Sequence, residues 1–296
     1  MNKETIENWF KELQDQISTA ISTTDGKAQF EEDIWTRPEG GGGRTRIIRN
    51  GHIIEKGGVN FSAVSGPTPD KILKALNIEA SDFYATGVSI VMHPQSPMVP
   101  IIHMNVRYFE MSNGISWFGG GIDLTPHYVD RADAVHFHQQ LKDICDQHHP
   151  DYHAQFKTWA DDYFYIKHRK ETRGIGGIFF DRLSTTEDIS MEDRWAFVQS
   201  VGNTFAPLYT HFMTKNHAMA FGENEKQWQY LRRGRYVEFN LVLDKGTKFG
   251  LDTDGRTESI LMSLPPQANW EYNFEVQPNS KEEETLSLLK KGIDWL

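Results

Sequence analysis

The chain has 296 residues, with 31 Lys and Arg against 41 Asp and Glu, giving a formal net charge of -10. That balance disfavours nucleic acid and anionic membranes as partners, because both attract cationic surfaces. One cysteine, Cys145, excludes an internal disulfide and fits a reducing compartment.

No Pro/Gly/Ser-rich linker and no repeat divides the chain, so a single domain over 1–296 is expected. Eight Trp, ten Tyr and eighteen Phe supply enough apolar area for one large core or for a flat aromatic ligand. The N-terminus is charged and amphipathic, which predicts neither a signal peptide nor a membrane span and points to a cytoplasmic protein.

Ile6, Trp9, Phe10, Leu13, Ile17 and Ile21 recur at helical spacing and predict a helix over 4–21. Arg37 to Gly58 is glycine-rich and basic, with a turn at Asn50-Gly51. A strand is expected over Gly57 to Val64, then a loop over Val64 to Asp70 leading into a short helix. Gly87 to His93, Ile101 to Glu110 and Ile115 to Gly120 predict three consecutive strands joined by tight connections. Helical patterns cover 131–147, 152–170 and 188–216, with a shorter helix over Lys226 to Arg232. Alternation of Val237, Phe239, Leu241 and Leu243 predicts a strand from Arg235 to Leu243. A last strand is expected over Ser259 to Leu264 and a closing helix over 280–291. Grouped strands separated by long helices predict an α+β fold with a mainly antiparallel sheet.

The strand Ile101 to Glu110 carries the clearest chemical signal. Period-two alternation puts His103, Asn105 and Arg107 on one side and Ile102, Met104, Val106 and Tyr108 on the other. A proton-transfer group, an amide and a fixed cation then stand in a row on rigid backbone, and guanidinium suits carboxylate. Ordinary solvation of a half-wet strand is the plainer alternative. Further arginines cluster at Arg44, Arg46 and Arg49, at Arg169 and Arg173, at Arg232, Arg233 and Arg235, and at Arg256. In an acidic chain such groups suggest anion sites, while solvated charge explains the Arg232 group nearly as well. Asp123 follows the glycines Gly119 to Gly121 and could either face a cleft or cap the turn at Thr125-Pro126. No glycine cluster has the context of a phosphate or dinucleotide loop, and no GxSxG or CxxC motif is present. The spacing of the twelve histidines marks no metal motif.

Eight blocks together are similar to the oxygen-dependent coproporphyrinogen III oxidases, in order and over nearly the whole chain. They are Gly57-Gly-Val-Asn-Phe61, Val88-Ser-Ile-Val-Met-His93, His103-Met-Asn-Val-Arg107 and Trp117-Phe-Gly-Gly-Gly-Ile-Asp-Leu-Thr-Pro126, followed by Tyr163-Phe-Tyr-Ile-Lys-His-Arg169, Arg173-Gly-Ile-Gly-Gly-Ile-Phe-Phe-Asp181, Arg232-Arg-Gly-Arg-Tyr-Val-Glu-Phe-Asn240 and Arg256-Thr-Glu-Ser-Ile-Leu-Met-Ser263. This resemblance implies a large, flat antiparallel sheet covered by helices on both faces. It implies oxidative decarboxylation of two propionates of coproporphyrinogen III to vinyl groups, giving protoporphyrinogen IX in haem synthesis. Molecular oxygen is consumed, and carbon dioxide and hydrogen peroxide are released. A homodimer formed through the segment around 236–271 is also implied.

Carried over by position, the resemblance assigns substrate contacts to Ser89, Asn105, Val106 and Arg107, and to the turn Asp254, Gly255 and Arg256. It assigns proton donation to His103. Asp123 and Arg173 match residues holding the tetrapyrrole core and a propionate, so catalytic work is expected of His103, Asp123 and Arg107. Trp117, Phe118 and Phe179 are candidates to cover the ring faces. No organic cofactor is implied; a divalent metal is implied on His93, His103, His138 and His168. Three departures stand out: Asp254 and Arg182 replace residues common in relatives, and the Ser65 to Asp70 loop is short. Two rival classes remain at this level: a histidine-ligated metal hydrolase and a non-catalytic tetrapyrrole-binding protein.

Overall fold

A computed structural model describes residues 2–68, 73, 81–252 and 255–296. Helix α1, Lys3–Asp25, starts where the Asn2 side chain accepts the Thr5 N–H and stops at Gly26, whose φ of 72° is the left-handed geometry glycine tolerates. Its buried stripe is the expected Ile6, Phe10, Leu13, Ile17 and Ile21. Asp25 ends the helix and accepts the N–H groups of Ala28, His52, Ile53 and Ile54, which ties α1 to the turn after Asn50.

The main sheet is built from β1 (Glu31–Thr36), β2 (Gly41–Arg49), β3 (Ile54–Pro67), β4 (Asp82–Pro94), β5 (Ile101–Met111), β6 (Ser116–Thr125) and β9 (Gly177–Leu183). These seven strands pair antiparallel in the order β1-β2-β3-β4-β5-β6-β9. The short pair β7 (Tyr165–Ile166) and β8 (Glu171–Thr172) stands apart. The expected strands at 57–64, 87–93, 101–110 and 115–120 are all present, while β1 and β9 carry no alternation that announces them. Residues expected to loop out after Val64 instead continue β3 to Pro67, paired with β4. The helix expected next lies at 69–80, outside the described residues apart from Leu73.

One face of the sheet holds the main core. Val59, Val88, Ile90, Ile102, Met104, Val106, Ile122 and Phe180 are buried there. It packs against α1, α2 (Arg131–His148) and α4 (Met191–Asn216). Burying each such side chain stabilises the fold by about 1.5–3 kcal/mol. The cluster runs from Ile6 to Trp295. Helix α3, Tyr152–Tyr163, wraps the β9 edge. It ends before the expected 170 because the chain leaves the helix at Phe164 and enters the β7–β8 pair, whose connecting turn holds Lys170 at φ of 57°.

The opposite face is covered by α5 (Glu223–Glu238), a π-helical turn (Phe239–Leu243), α6 (Lys245–Asp252) and α7 (Thr257–Leu261). Here two expectations are overturned: Arg235 to Leu243 is helical, and so is Thr257 to Leu261. Tyr236, Phe239 and Asn240 are buried at helical spacing, whereas Leu241 and Val242 stand exposed, so the alternation was not a buried face. The closing helix α8 covers Lys281–Leu288. No described helix is long and apolar enough to cross a membrane.

Candidate active site

Register places the site. In β5, His103, Asn105 and Arg107 alternate with the buried Met104, Val106 and Tyr108, as expected. His103 lies opposite Asp123 in β6, Asn105 opposite Ser89 in β4 and Gly121 in β6, and Arg107 opposite Gly87 and Gly119. Directly opposed residues share a face, so all of these side chains look toward α5 to α7.

Asp123 is 1% exposed, and its two oxygens are taken by two partners. His103 Nδ1 lies 2.8 Å from Oδ1, while Arg173 reaches Oδ1 at 2.7 Å and Oδ2 at 2.8 Å through Nη2. Arg173 itself is 3% exposed and walled by the rings of Phe164, Tyr236 and Phe239 at 4.4, 4.7 and 4.6 Å. Its Nη1 donates to Asn240 Oδ1 at 3.0 Å. Burial alone would push the Asp123 carboxyl up, but the Arg173 charge and the His103 hydrogen bond hold it below the usual carboxylate range. The Asp123 oxygen is nearer to His103 Nδ1 than Arg173 Nη2 is, at 2.8 against 3.4 Å, so Nδ1 carries the hydrogen. His103 is 22% exposed, leaving Nε2 as the nitrogen free for proton exchange.

Arg107 is held less tightly. Its Nη1 donates to Asn105 Oδ1 at 2.6 Å and its Nη2 to Asp181 Oδ1 at 2.7 Å. A Cβ at Gly119 would come within 2.6 Å of that Asp181 oxygen and 2.8 Å of Arg107 Nη2, so glycine there lets the ion pair lie across β6. Asp181 reaches this position beside a bulge between β6 and β9, where Arg182 has φ of 52°.

A polar row crosses the sheet from this point. Asn105, Ser89, Asn60 and Thr45 are successive register partners, so Thr45 stands about 14 Å from Asn105 at ordinary strand spacing. Thr45 Oγ1 donates to Asn60 at 2.6 Å and lies 3.0 Å from Ser259 Oγ. Arg256 donates to Ser259 Oγ at 3.0 Å and to Asp33, with its guanidinium beside the Trp35 ring. The structure thus sets a cation at each end of one polar floor. Trp117 and Phe179 are on the same face, but Phe118 is buried on the other face against Trp195 and Tyr108.

Among the remaining expected residues, the Val106 side chain lies in the opposite core, leaving only its backbone on this strand. Gly255 donates its N–H to Gly250 at 2.8 Å, and Asp254 lies outside the described residues. Tyr163, Asp181, Tyr236 and Asn240 also stand at this site, and for the last two the helical spacing of Tyr236, Phe239 and Asn240 is the signal the sequence holds.

The four histidines expected to share a metal are dispersed. His93 bonds Ser263 O at 2.8 Å and His103 bonds Asp123. His138 lies on α2 against the main core, bonding Ile175 O at 2.9 Å and stacking on Trp295. His168 is exposed and bonds Glu238 at 2.8 Å. Because His138 packs on the face opposite His93 and His103, the four do not fit one ion. Among the described residues no group of three or more His, Cys, Asp or Glu side chains is placed to hold a metal.

A family model described as coproporphyrinogen III oxidase matches residues 5–295. The chain belongs to the coproporphyrinogen III oxidase family. The oxygen-dependent coproporphyrinogen-III oxidase of Parasynechococcus marenigrum (strain WH8102) is 46% identical over 308 positions, covering 96% of this chain and 85% of that protein. The enzyme of the same name from Synechococcus sp. (strain CC9605) is 47% identical with the same coverage. That from a strain of Prochlorococcus marinus is 44% identical, covering 98% of this chain and 91% of its own. Family membership places the dyad of His103 and Asp123 within a fold associated with tetrapyrrole chemistry, and it sets aside the hydrolase alternative.

Proposed function

We propose that this chain catalyses the oxygen-dependent oxidative decarboxylation of two propionates of coproporphyrinogen III to vinyl groups. The observation that carries the site assignment is the common face shared by His103, Asp123 and Arg107, with Arg256 at the far end of the polar row. Each step breaks the bond to one propionate carboxylate, which leaves as carbon dioxide, and one C–H bond on the same arm, leaving a vinyl group. The two electrons reduce one dioxygen to hydrogen peroxide, with net uptake of one proton. The reduced pyrrole is electron-rich enough to react with oxygen directly. Arg107 and Arg256 would pair substrate carboxylates, fixing the reacting arm and an anchoring arm. His103 Nε2 would exchange the proton, while Asp123 holds the imidazole in one tautomer and Arg173 holds Asp123. In this geometry Arg173 acts through Asp123 instead of meeting a propionate. Ser89 and Asn105 would line the floor. The buried position of Asp123 favours an orienting role over direct contact with pyrrole N–H groups.

No organic cofactor enters this scheme, and the histidines serve as hydrogen-bonding groups. The continuity of the core from Ile6 to Trp295 supports a single domain over 1–296. Exposed Leu241, Val242, Phe249, Leu251, Trp270 and Tyr272 support a homodimer through the segment around 236–271, since apolar patches of this kind mark interfaces. A buried, unpaired Cys145 is in keeping with a cytoplasmic setting. Aerobic incubation with coproporphyrinogen III should yield a dicarboxylate product and two equivalents each of carbon dioxide and peroxide. Binding without any loss of carboxyl groups would leave a carrier, and the proposal would be wrong.

A further inference from the structure

Helix α5 has a second polar face that the scheme above does not use. Gln229, Arg233, Tyr236 and Asn240 look toward the sheet and the active site. Trp228, Arg232 and Arg235 share another side, at spacings of four and three, and line a cavity of about 130 Å³. Arg169 and Glu171 complete its charged wall, while Leu231, Phe274 and Leu286 make the rest apolar. The Trp228 indole is part of that apolar wall, because its Nε1 is spent on the His127 carbonyl at 2.6 Å.

The charges around this cavity do not cancel. Glu171 answers Arg232 at 2.8 Å. Glu238 alone serves Arg169, which binds it through two bonds at 2.8 and 2.6 Å, and Arg235 at 3.1 Å. Among the described residues, three guanidiniums are therefore paired with two carboxylates. Arg232 and Arg235 are only 5% and 12% exposed, yet each makes a single hydrogen bond to a protein acceptor among the described residues. A guanidinium carries five N–H donors, so both residues keep donors open to an acceptor placed in the cavity. Burial and the nearby charges of Arg169 and Arg232 also weaken the hold of Arg235 on its own proton.

We infer that this cavity is a second anion site, separate from the active site, taking a carboxylate attached to a small apolar body. The excess cation and unanswered N–H groups supply the carboxylate half, and Trp228, Leu231, Phe274 and Leu286 supply the apolar half. A free organic acid and the acid arm of a larger ligand share that chemistry.

The test uses the whole protein and 4-fluorobenzoate, with binding followed by fluorine NMR. Saturable binding is expected in the wild type and in Arg107→Met, with weakening of at least about tenfold in Arg235→Met (~1.4 kcal/mol). Leu286→Trp fills the cavity from another element while leaving every arginine in the sequence, and it should abolish binding. Displacement of the probe by coproporphyrin would indicate the acid arm as occupant; its retention would indicate a free acid. No saturable binding overturns the inference, as does binding unchanged in both cavity variants or lost in Arg107→Met. Equal binding of neutral 4-fluorobenzamide overturns it too.

Discussion

His103 and Asp123 face each other in register across β5 and β6, and their side chains meet at 2.8 Å while Arg173 grips the same carboxylate from the buried side. The result is a three-part chain in which only the outermost member, the imidazole, reaches the open face. A carboxylate kept ionised by a buried guanidinium is a poor proton acceptor but a good orienting group. It holds the imidazole in one orientation, with Nε2 toward the open face.

Asp123→Asn should separate these roles. The amide keeps the shape but removes the charge, so the imidazole loses its fixed tautomer and Arg173 is left buried without a counter-ion. Turnover should fall by about a hundredfold to ten-thousandfold with tetrapyrrole binding retained. Stability should fall by about 3–5 kcal/mol, the usual cost of stranding one buried charge. Adding Arg173→Met should recover most of that stability and none of the turnover. Near-normal turnover in Asp123→Asn would falsify the dyad assignment.

Stability should also carry a signature of three buried histidines. Burial pushes His138 down to about 4, and His93 and His127 well below the ordinary value, these two aided by the Arg233 charge. All three are therefore neutral when folded and free to protonate when unfolded. Between the unfolded value of about 6.5 and the folded one, the unfolded chain binds more protons, so stability falls as pH falls. Each group contributes a slope of about 1.4 kcal/mol per pH unit across that window. His138→Phe keeps the stacking on Trp295 and removes one of these slopes. Urea unfolding at pH 7, 6 and 5 should show the variant losing stability less steeply than the wild type. Parallel curves would mean that His138 is already protonated in the fold.

Much of this site is written in local pattern, and the missing parts depend on distant partners. The alternation of His103, Asn105 and Arg107 with apolar residues is legible because one face of β5 is buried and the other is not. The bond between Asp123 and Arg173 joins residues 50 positions apart, which no local period reveals. The segment from Arg235 to Leu243 misleads for a different reason. Its apolar residues alternate by two, but Leu241 and Val242 stand at an exposed surface while Tyr236, Phe239 and Asn240 turn inward through a π-helical turn. A strand pattern assumes that apolar means buried, and here it does not. Strands β1 and β9 were hidden because β1 is an exposed, charged edge and β9 emerges from a glycine-rich turn.

Arg107 should resist even a charge-conserving change. Its guanidinium spans Asn105 and Asp181 with separate nitrogens, and the same fork suits a carboxylate through two parallel bonds. Lysine offers a point charge without that geometry. Arg107→Lys should raise KM for coproporphyrinogen by about tenfold or more, the scale of one lost charge-assisted hydrogen bond. An unchanged KM would move the carboxylate contact to another residue.

Metal removal gives the sharpest contrast with the expectation drawn from family resemblance. His93, His103 and His168 are each engaged by a different acceptor, and His138 lies across the sheet from His93 and His103, bonded to Ile175. Gathering them on one ion would require breaking the His103–Asp123 contact and carrying His138 through the core. Protein stripped with a strong chelator, with metal content verified by mass spectrometry, should therefore keep its full turnover and unchanged unfolding midpoint. His168→Ala should behave alike, since Arg169 and Arg235 still hold Glu238. Loss of activity on stripping, restored by one divalent ion per chain, would show that these histidines regroup in the working enzyme.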